Sequence, residues 1–176
     1  MNKRVVKVVL PAIIAIALVS YTLGQEIVAG RTPSLLSFAL INFSGYLFFL
    51  LMPVEALVPI YQAEGHAGAI LILIGVSTAI AAQIIDYCIG WTVSERVIYS
   101  LIGERRYRRF KGKIENWGGW VILFFNLFPL ASSVLLLVAG MMRYSPHRAL
   151  LYSLTGLTIK YFTIVYLFDL ASSWIA

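Results

Sequence analysis

The chain has 176 residues, of which 60% are hydrophobic and 12% are charged, whereas about 25% of the residues of an ordinary soluble domain are charged. With a mean hydropathy of +0.86 and long apolar runs, this composition excludes a soluble globular domain and predicts an all-α integral membrane protein. It also excludes disordered and collagen-like chains, and the single cysteine, Cys88, excludes an internal disulfide.

The positive charge of the chain is clustered. Twelve of the 14 lysines and arginines lie in three groups, at residues 3–7, 96–113 and 143–148. Basic loops of this kind are typical of the cytoplasmic face of a membrane protein. Since no motif that reads a nucleic-acid groove accompanies the charge, we expect no nucleic-acid partner.

The first apolar run, residues 8–24, follows basic residues and is compatible with a cleaved signal peptide or a retained anchor. No small-residue cleavage pattern follows the run. We therefore expect an anchor helix with a following loop in residues 1–34, and a separate membrane domain in residues 35–176.

The membrane domain contains several further apolar stretches. They cover residues 35–52, 53–65, 67–91, 118–142 and 149–175, and a polar connector, residues 92–117, divides them. If every stretch crossed the bilayer, the three basic groups could not lie on one side. The conflict disappears if residues 35–65 enter and return from outside and residues 118–142 enter and return from inside. The N-terminus and the basic groups are then cytoplasmic, and Glu64 and His66 are on the other side.

Prolines lie where such re-entrant hairpins need a bend. Pro53 and Pro59 lie in the first hairpin and Pro129 in the second, and each removes a helical hydrogen bond. The alternative is that one hairpin is a proline-kinked span. With two hairpins, residues 35–91 and 118–172 form an inverted repeat, a transporter architecture whose substrate site lies where the broken elements meet.

Four ionisable residues lie at or near membrane depth, where a charge costs at least about 2.5 kcal/mol. They are Glu55, Asp86, Lys160 and Asp169. Glu55 is a functional candidate, with capping of the returning helix as the alternative. Asp86 is either functional or extends to the interface, and Asp169 is expected at the interface. Lys160 needs an anionic partner, either Glu55 or Asp86.

Polar side chains surround the proline of the second hairpin. Asn126, Ser132 and Ser133 flank Pro129, and their local role would be to bond backbone groups that the proline frees. Their functional role would be to line a cavity opposite Glu55. If burial dominates at Glu55, this carboxyl can exchange a proton and couple transport to a proton gradient. If Lys160 dominates, the pair is structural and lipid moves downhill.

The connector has a basic amphipathic pattern. Its cations include Arg105, Arg106, Arg108, Arg109, Lys111 and Lys113. We expect it to lie along the inner leaflet and to bind anionic lipids there. Tyr107 and Phe110, at i and i+3, are expected to reach into the headgroup boundary.

The order of these motifs resembles the DedA family, also called the VTT domain or SNARE-associated membrane protein family. The resemblance covers residues 37–174 and rests on Pro53-Val54-Glu55, Asp86-Tyr87 with Gly90, Trp117-Gly118-Gly119, Phe128-Pro129, Ala139-Gly140 with Arg143, and Gly156. It implies two facing re-entrant hairpins. It also implies flipping or scrambling of lipids, including polyprenyl-phosphate carriers, often with proton coupling.

The chain departs from the family pattern at several positions. Asn126 and Ser132 stand where many members carry arginines, Gln83 stands where an acidic residue is expected, and Lys160 replaces a late tryptophan. Phosphate recognition favours the bidentate guanidinium of arginine. This arginine-poor pattern therefore weakens the expectation of an anionic lipid phosphate and suggests a zwitterionic or different head group.

We expect a lipid transporter of a prokaryotic plasma (inner) membrane that moves a phospholipid or a polyprenyl-phosphate lipid. No cofactor or metal is expected, and homo-oligomerisation stays open. The alternatives are an ion- or proton-coupled transporter of small solutes and a non-transporting assembly factor. An enzyme is disfavoured, because His66 and His147 fall in loops on opposite faces and Cys88 has no histidine near it in sequence.

Overall fold

The computed structural model of the chain describes residues 34–47, 54–92, 103–128 and 132–175, and the regular structure in these ranges is helical. The helices are α1 (Leu35–Tyr46), α2 (Leu57–Ala63), α3 (Gly68–Thr92), α4 (Glu104–Trp117), α5 (Gly119–Leu127), α6 (Ser132–Met141) and α7 (Pro146–Ile175). A short 3₁₀ helix, Val54–Ala56, precedes α2. The expected anchor helix and two of the predicted break points, Pro53 and Pro129, lie outside the described residues.

Two of the described helices are long and apolar enough to cross a membrane. They are α3, over Gly68–Thr92, and α7, over Pro146–Trp174. Only 28% and 33% of their most apolar stretches are buried inside the protein, whereas a core helix of a soluble protein is mostly buried. These candidate spans coincide with the apolar stretches predicted at residues 67–91 and 149–175, and the described fold has the all-α class that we expected.

Among the described helices, α1, α5 and α6 are apolar but too short to cross. The lengths of α1, α5 and α6 are 12, 9 and 10 residues, which at about 1.5 Å per residue is roughly half of the 30 Å hydrocarbon core. Ser34 caps α1 by accepting the amide hydrogen of Ser37 at 3.2 Å. Phe128, the residue before Pro129, ends α5 in an extended conformation, because a following proline disfavours helical backbone.

Pro59 does not break a helix. It is the third residue of α2, where a missing amide hydrogen costs little because first-turn amides have no acceptor within their own helix. Residues 54–63 therefore form one continuous 3₁₀-to-α segment. The predicted bend at Pro59 is wrong for this reason.

The first hairpin region folds back on itself. The hydroxyls of Ser37 and Tyr61 lie 2.7 Å apart, and Gly45 packs directly against Val54, so α1 and residues 54–63 run antiparallel. The end of α2 lies near the end of α7, since Gln62 donates to Asp169 at 3.1 Å.

The second hairpin region also folds back. Helix α5 runs beside α7 in the same direction, with Gly119 against the ring of Tyr152 and the carbonyl of Leu123 against Gly156. Helix α6 runs the opposite way, starting near Tyr46 and ending near the C-terminal end of α3. Its packing on α3 is close, because a Cβ atom at Gly140 would overlap the carbonyl oxygen of Tyr87.

The apolar face of α4 packs on protein. Tyr107, Phe110 and Ile114 are buried in the same core as α5 and α6, and the rings of Phe110 and Phe125 meet edge to face at 5.5 Å. The expectation that Tyr107 and Phe110 reach into the lipid headgroups is therefore wrong. The pattern of i and i+3 aromatics indicated a buried face, and the partner of that face is the second hairpin region.

Candidate functional site

A buried ion pair joins the first hairpin region to the middle of α7. Lys160 Nζ lies 2.5 Å from Glu55 Oε1 and donates to the hydroxyl oxygen of Tyr46 at 2.8 Å. The Tyr46 hydroxyl in turn donates to Glu55 Oε1 at 2.5 Å. The side chains of Lys160 and Glu55 are only 6% and 11% exposed. The two charges therefore neutralise each other in an interior where neither would be stable alone.

The contacts of Glu55 are made with distant parts of the chain. Glu55 lies in the 3₁₀ helix at the start of the return segment, and its contacts reach across the fold to α1 and α7. Its main interactions are therefore tertiary, and a local capping role does not account for them. Of the two partners predicted for Lys160, the structure selects Glu55.

A second buried polar cluster lies between α3, α5 and α7. Gln83 Nε2 donates to Asn126 Oδ1 at 2.5 Å, Asn126 Nδ2 donates to Ser153 Oγ at 2.9 Å, and the Ser153 hydroxyl donates to Gln83 Oε1 at 2.6 Å. This closed ring satisfies two amide groups and a hydroxyl at once, as buried polar groups require. We call it the Gln83–Asn126–Ser153 ring.

The first turn of α6 connects the two clusters. Ser132 Oγ accepts a further bond from Gln83 Nε2 at 3.3 Å, and the Ser133 hydroxyl donates to the backbone carbonyl of Tyr46. A hydroxyl of the second hairpin region is thus bonded to the backbone of the first. The ends of the two regions meet at the level of Lys160.

A cavity of about 640 Å³ lies at this meeting point. Its described lining comes from the 3₁₀ helix, the first turn of α2, the end of α5 and one face of α7: Glu55, Ala56, Pro59, Leu127, Phe128, Ile159, Lys160, Thr163 and Ile164. Phe128 and Ile159 are 45% and 46% exposed, so the cavity opens on the side of the helices. Apart from the ion pair and Thr163, the lining is apolar. Its size is within the range of sites for small molecules.

A family model of the VTT domain matches residues 33–170. The chain belongs to the VTT domain family. The resemblance of its motifs to the DedA or SNARE-associated family is confirmed by this match. Proteins of this family are generally membrane proteins of transporter-like rather than enzymatic character, and α3 and α7 agree with a membrane location. No curated protein and no solved structure shows significant similarity to the chain.

The VTT domain brings only part of the predicted site to the cavity. Glu55 and Lys160 line it. Asn126, Ser132 and Ser133 are instead hydrogen-bonded inside the protein, because amide and hydroxyl groups at helix contacts are stabilised by partners in the interior. From the described part of the second hairpin region, Leu127 and Phe128 line the cavity in their place.

Asp86 lies away from the cavity lining. It is on α3, one turn beyond Gln83, and is 1% exposed. The alternative that its carboxylate extends to the membrane interface is therefore wrong. Asp169 is exposed near the end of α7 and accepts from Gln62, and its place at the membrane interface stays a prediction.

The departures of this VTT domain from the family pattern are structurally connected. Gln83, Asn126 and Ser132 are the three positions where the resemblance led us to expect charges, and Gln83 donates to both of the others. In this chain these three positions therefore belong to a neutral hydrogen-bonded cluster.

Several members of these clusters escaped prediction. Ser153 lies seven residues before Lys160, on the same face of α7, and Gln83 lies one turn before Asp86, so helical spacing carried a signal for both. No such signal existed for Tyr46, nor for Asn42, which makes a separate set of buried contacts. The amide of Asn42 donates to the carbonyl of Gly75 at 2.9 Å and accepts from the Tyr161 hydroxyl at 2.5 Å, contacts that cross the whole domain.

Proposed function

We propose that this VTT-domain protein moves membrane phospholipids between leaflets, with the head group passing through the cavity while the acyl chains stay in the bilayer. The observation that carries the proposal is a side-opening, mostly apolar cavity with a buried ion pair in its wall. Such a cavity offers polar contacts for a head group and an apolar exit for the chains. A sealed pocket would suit a small solute better.

The proposal includes two re-entrant hairpins in an inverted repeat. Its support is that the first hairpin region contacts α7 near Asp169, whereas the second contacts it near Tyr152. Both reach Lys160, at the middle of α7, from opposite ends. Elements that are too short to span and that meet from opposite faces are typical of transporters built from inverted repeats.

We propose a zwitterionic head group as the substrate. Lys160 is suited to a phosphate oxygen and Glu55 to an ammonium group, and the pair has no net charge. A polyprenyl phosphate carries only negative charge, and the cavity lining in the described residues contains no arginine to bind it. A phospholipid with both a phosphate and an amine fits this arrangement better.

Downhill movement is the mode that the contacts favour. Glu55 Oε1 accepts from both Lys160 and Tyr46, so the charge of the carboxylate is already balanced by a cation of the protein. A proton-coupled cycle would require Glu55 to leave these partners. We therefore propose scrambling that needs no proton gradient, in the inner membrane of a prokaryote, with the N-terminus, α4 and the loop before α7 in the cytoplasm.

Reconstitution into liposomes tests the proposal. The movement of fluorescent phospholipids would be measured by quenching of the outer leaflet, for wild-type protein, Glu55→Gln, and Glu64→Gln as the control at an exposed carboxylate. We expect Glu55→Gln to slow movement of a zwitterionic lipid by about tenfold or more, since one charge-assisted hydrogen bond is worth about 1.5–3 kcal/mol. Glu64→Gln should leave the rate unchanged.

Other outcomes separate the alternatives. Lipid movement that requires an imposed proton gradient would support proton coupling. Equal rates for folded Glu55→Gln and wild type, with several head groups, would show that the carboxylate is not in the pathway. No lipid movement by wild-type protein would contradict the proposal, and uptake of a small solute or a purely structural role would then be favoured.

A further inference from the structure

The two exposed flanks of α4 differ in charge. On one side of its buried face lie Arg106, Arg109 and Lys113, followed by Trp117 at the same helical spacing. On the other side lie Glu104, Arg108, Lys111 and Glu115. The second flank is balanced and contains the Glu104–Arg108 ion pair at 2.6 Å. The first flank contains no acidic residue, and we call it the cationic flank.

A groove lies beside the cationic flank, between α4 and α5. Its volume is about 630 Å³, and its lining includes Lys113, Trp117, Trp120, Leu123, Phe124 and Phe125. Trp117, Trp120 and Phe124 are 70%, 65% and 52% exposed. Lys113 Nζ lies 4.6 Å from the centre of the Phe125 ring, so the ammonium group is held at the edge of an otherwise apolar channel.

Each part of the groove suits one part of a lipid. A lysine at the edge of an aromatic channel combines a phosphate contact with a surface for a hydrocarbon chain. Tryptophan is enriched at the level of the headgroups, where one end of its ring system is wet and the other apolar. The two further arginines of the cationic flank extend the positive charge away from the groove, which selects for a net negative ligand.

We propose that this groove binds one anionic glycerophospholipid, with its phosphate at Lys113 and an acyl chain along Trp120 and Phe124. The site shares no lining residue with the cavity that contains Glu55 and Lys160. It is therefore a binding site for a resident lipid and is distinct from the transport pathway. The lipid would attach the cationic flank of α4 to the membrane, while the buried face of α4 remains packed on α5 and α6.

Quenching of tryptophan fluorescence by brominated lipids tests this site. The protein would carry Trp91→Phe and Trp174→Phe, so that emission comes from Trp117 and Trp120. It would be reconstituted in phosphatidylcholine with small amounts of acyl-brominated phosphatidylglycerol or acyl-brominated phosphatidylcholine. We expect the anionic lipid to associate about fivefold more strongly than the zwitterionic one, the factor expected for one basic side chain near anionic lipid.

Lys113→Gln and Lys111→Gln provide a matched pair on the two flanks of one helix. Lys113→Gln should remove the approximately fivefold preference for the anionic lipid. Lys111→Gln should leave that preference unchanged. Retention of phosphatidylglycerol by protein with all its tryptophans, measured by native mass spectrometry, gives the same comparison without the fluorescence background. Equal binding of the two lipids, or equal effects of the two substitutions, would overturn the proposal. Lipid movement should be the same in Lys113→Gln as in wild type, so this test is separate from that of the transport function.

Discussion

Lys160→Met is expected to lower the free energy of unfolding by about 3–5 kcal/mol, because it leaves the Glu55 carboxylate buried without its cation. The side chains of both partners are almost fully enclosed, and the distance between Lys160 Nζ and Glu55 Oε1 is 2.5 Å. Unfolding in mixed micelles with increasing fractions of a denaturing detergent would measure the loss.

The double variant Glu55→Gln/Lys160→Met separates the charge effect from simple loss of packing. Replacing both members of a buried pair with uncharged groups of similar size is often close to neutral. We therefore expect most of the stability to return in the double variant. Lys113→Met, which changes a partly exposed lysine without a buried carboxylate partner, should have little effect. A double variant as unstable as Lys160→Met would contradict the charge argument.

Asn126→Ala is expected to destabilise the domain by about 2–4 kcal/mol. It removes the 2.5 Å acceptor of Gln83 and the 2.9 Å donor to Ser153, and it leaves a small cavity between α5 and α7. Asn116→Ala, at an exposed position of α4, is the control and should change stability by no more than about 0.5 kcal/mol. The same detergent titration would measure both. Similar small effects of the two substitutions would show that the Gln83–Asn126–Ser153 ring does not stabilise the fold.

The long helices and the central ion pair could be predicted from the sequence. Helices α3 and α7 could be predicted from their apolar runs, because a long run with few charges is typical of a helix that spans a membrane. The Glu55–Lys160 pair follows from the cost of a lone charge at membrane depth, although that argument allowed Asp86 as well. The choice between the two carboxylates depends on which residues the folded chain brings beside α7.

Other features could not be predicted because their partners are distant in sequence. Tyr46 contacts Lys160 across 114 positions, and no local pattern connects the two. An amphipathic face shows that one side of a helix is buried, but the covering surface can be lipid or protein. For Tyr107 and Phe110 it is protein. Pro59 shows that a proline alone does not predict a bend. A proline in the first turn of a helix and a proline at a bend look the same in the sequence.

The single ion pair in the cavity lining limits what the cavity can bind. Among the described residues, the charge of the cavity lining is the Glu55–Lys160 ion pair. The Gln83–Asn126–Ser153 ring is neutral and lies outside the lining. A site with one cation and one anion side by side discriminates poorly against neutral head groups. It does not offer the excess positive charge that a phosphate monoester requires.

Reversible blocking of the cavity tests the central claim most directly. Thr163 lines the cavity on an exposed face of α7, and Thr163→Cys in a Cys88→Ala background would place a thiol there for modification by a bulky methanethiosulfonate reagent. Leu170→Cys, further along α7 and outside the cavity, is the control. We predict that modification at position 163 slows phospholipid movement in liposomes by at least about tenfold, that a reductant restores the rate, and that modification at position 170 changes nothing. Unchanged lipid movement after complete modification at position 163 would contradict passage of the head group through this cavity.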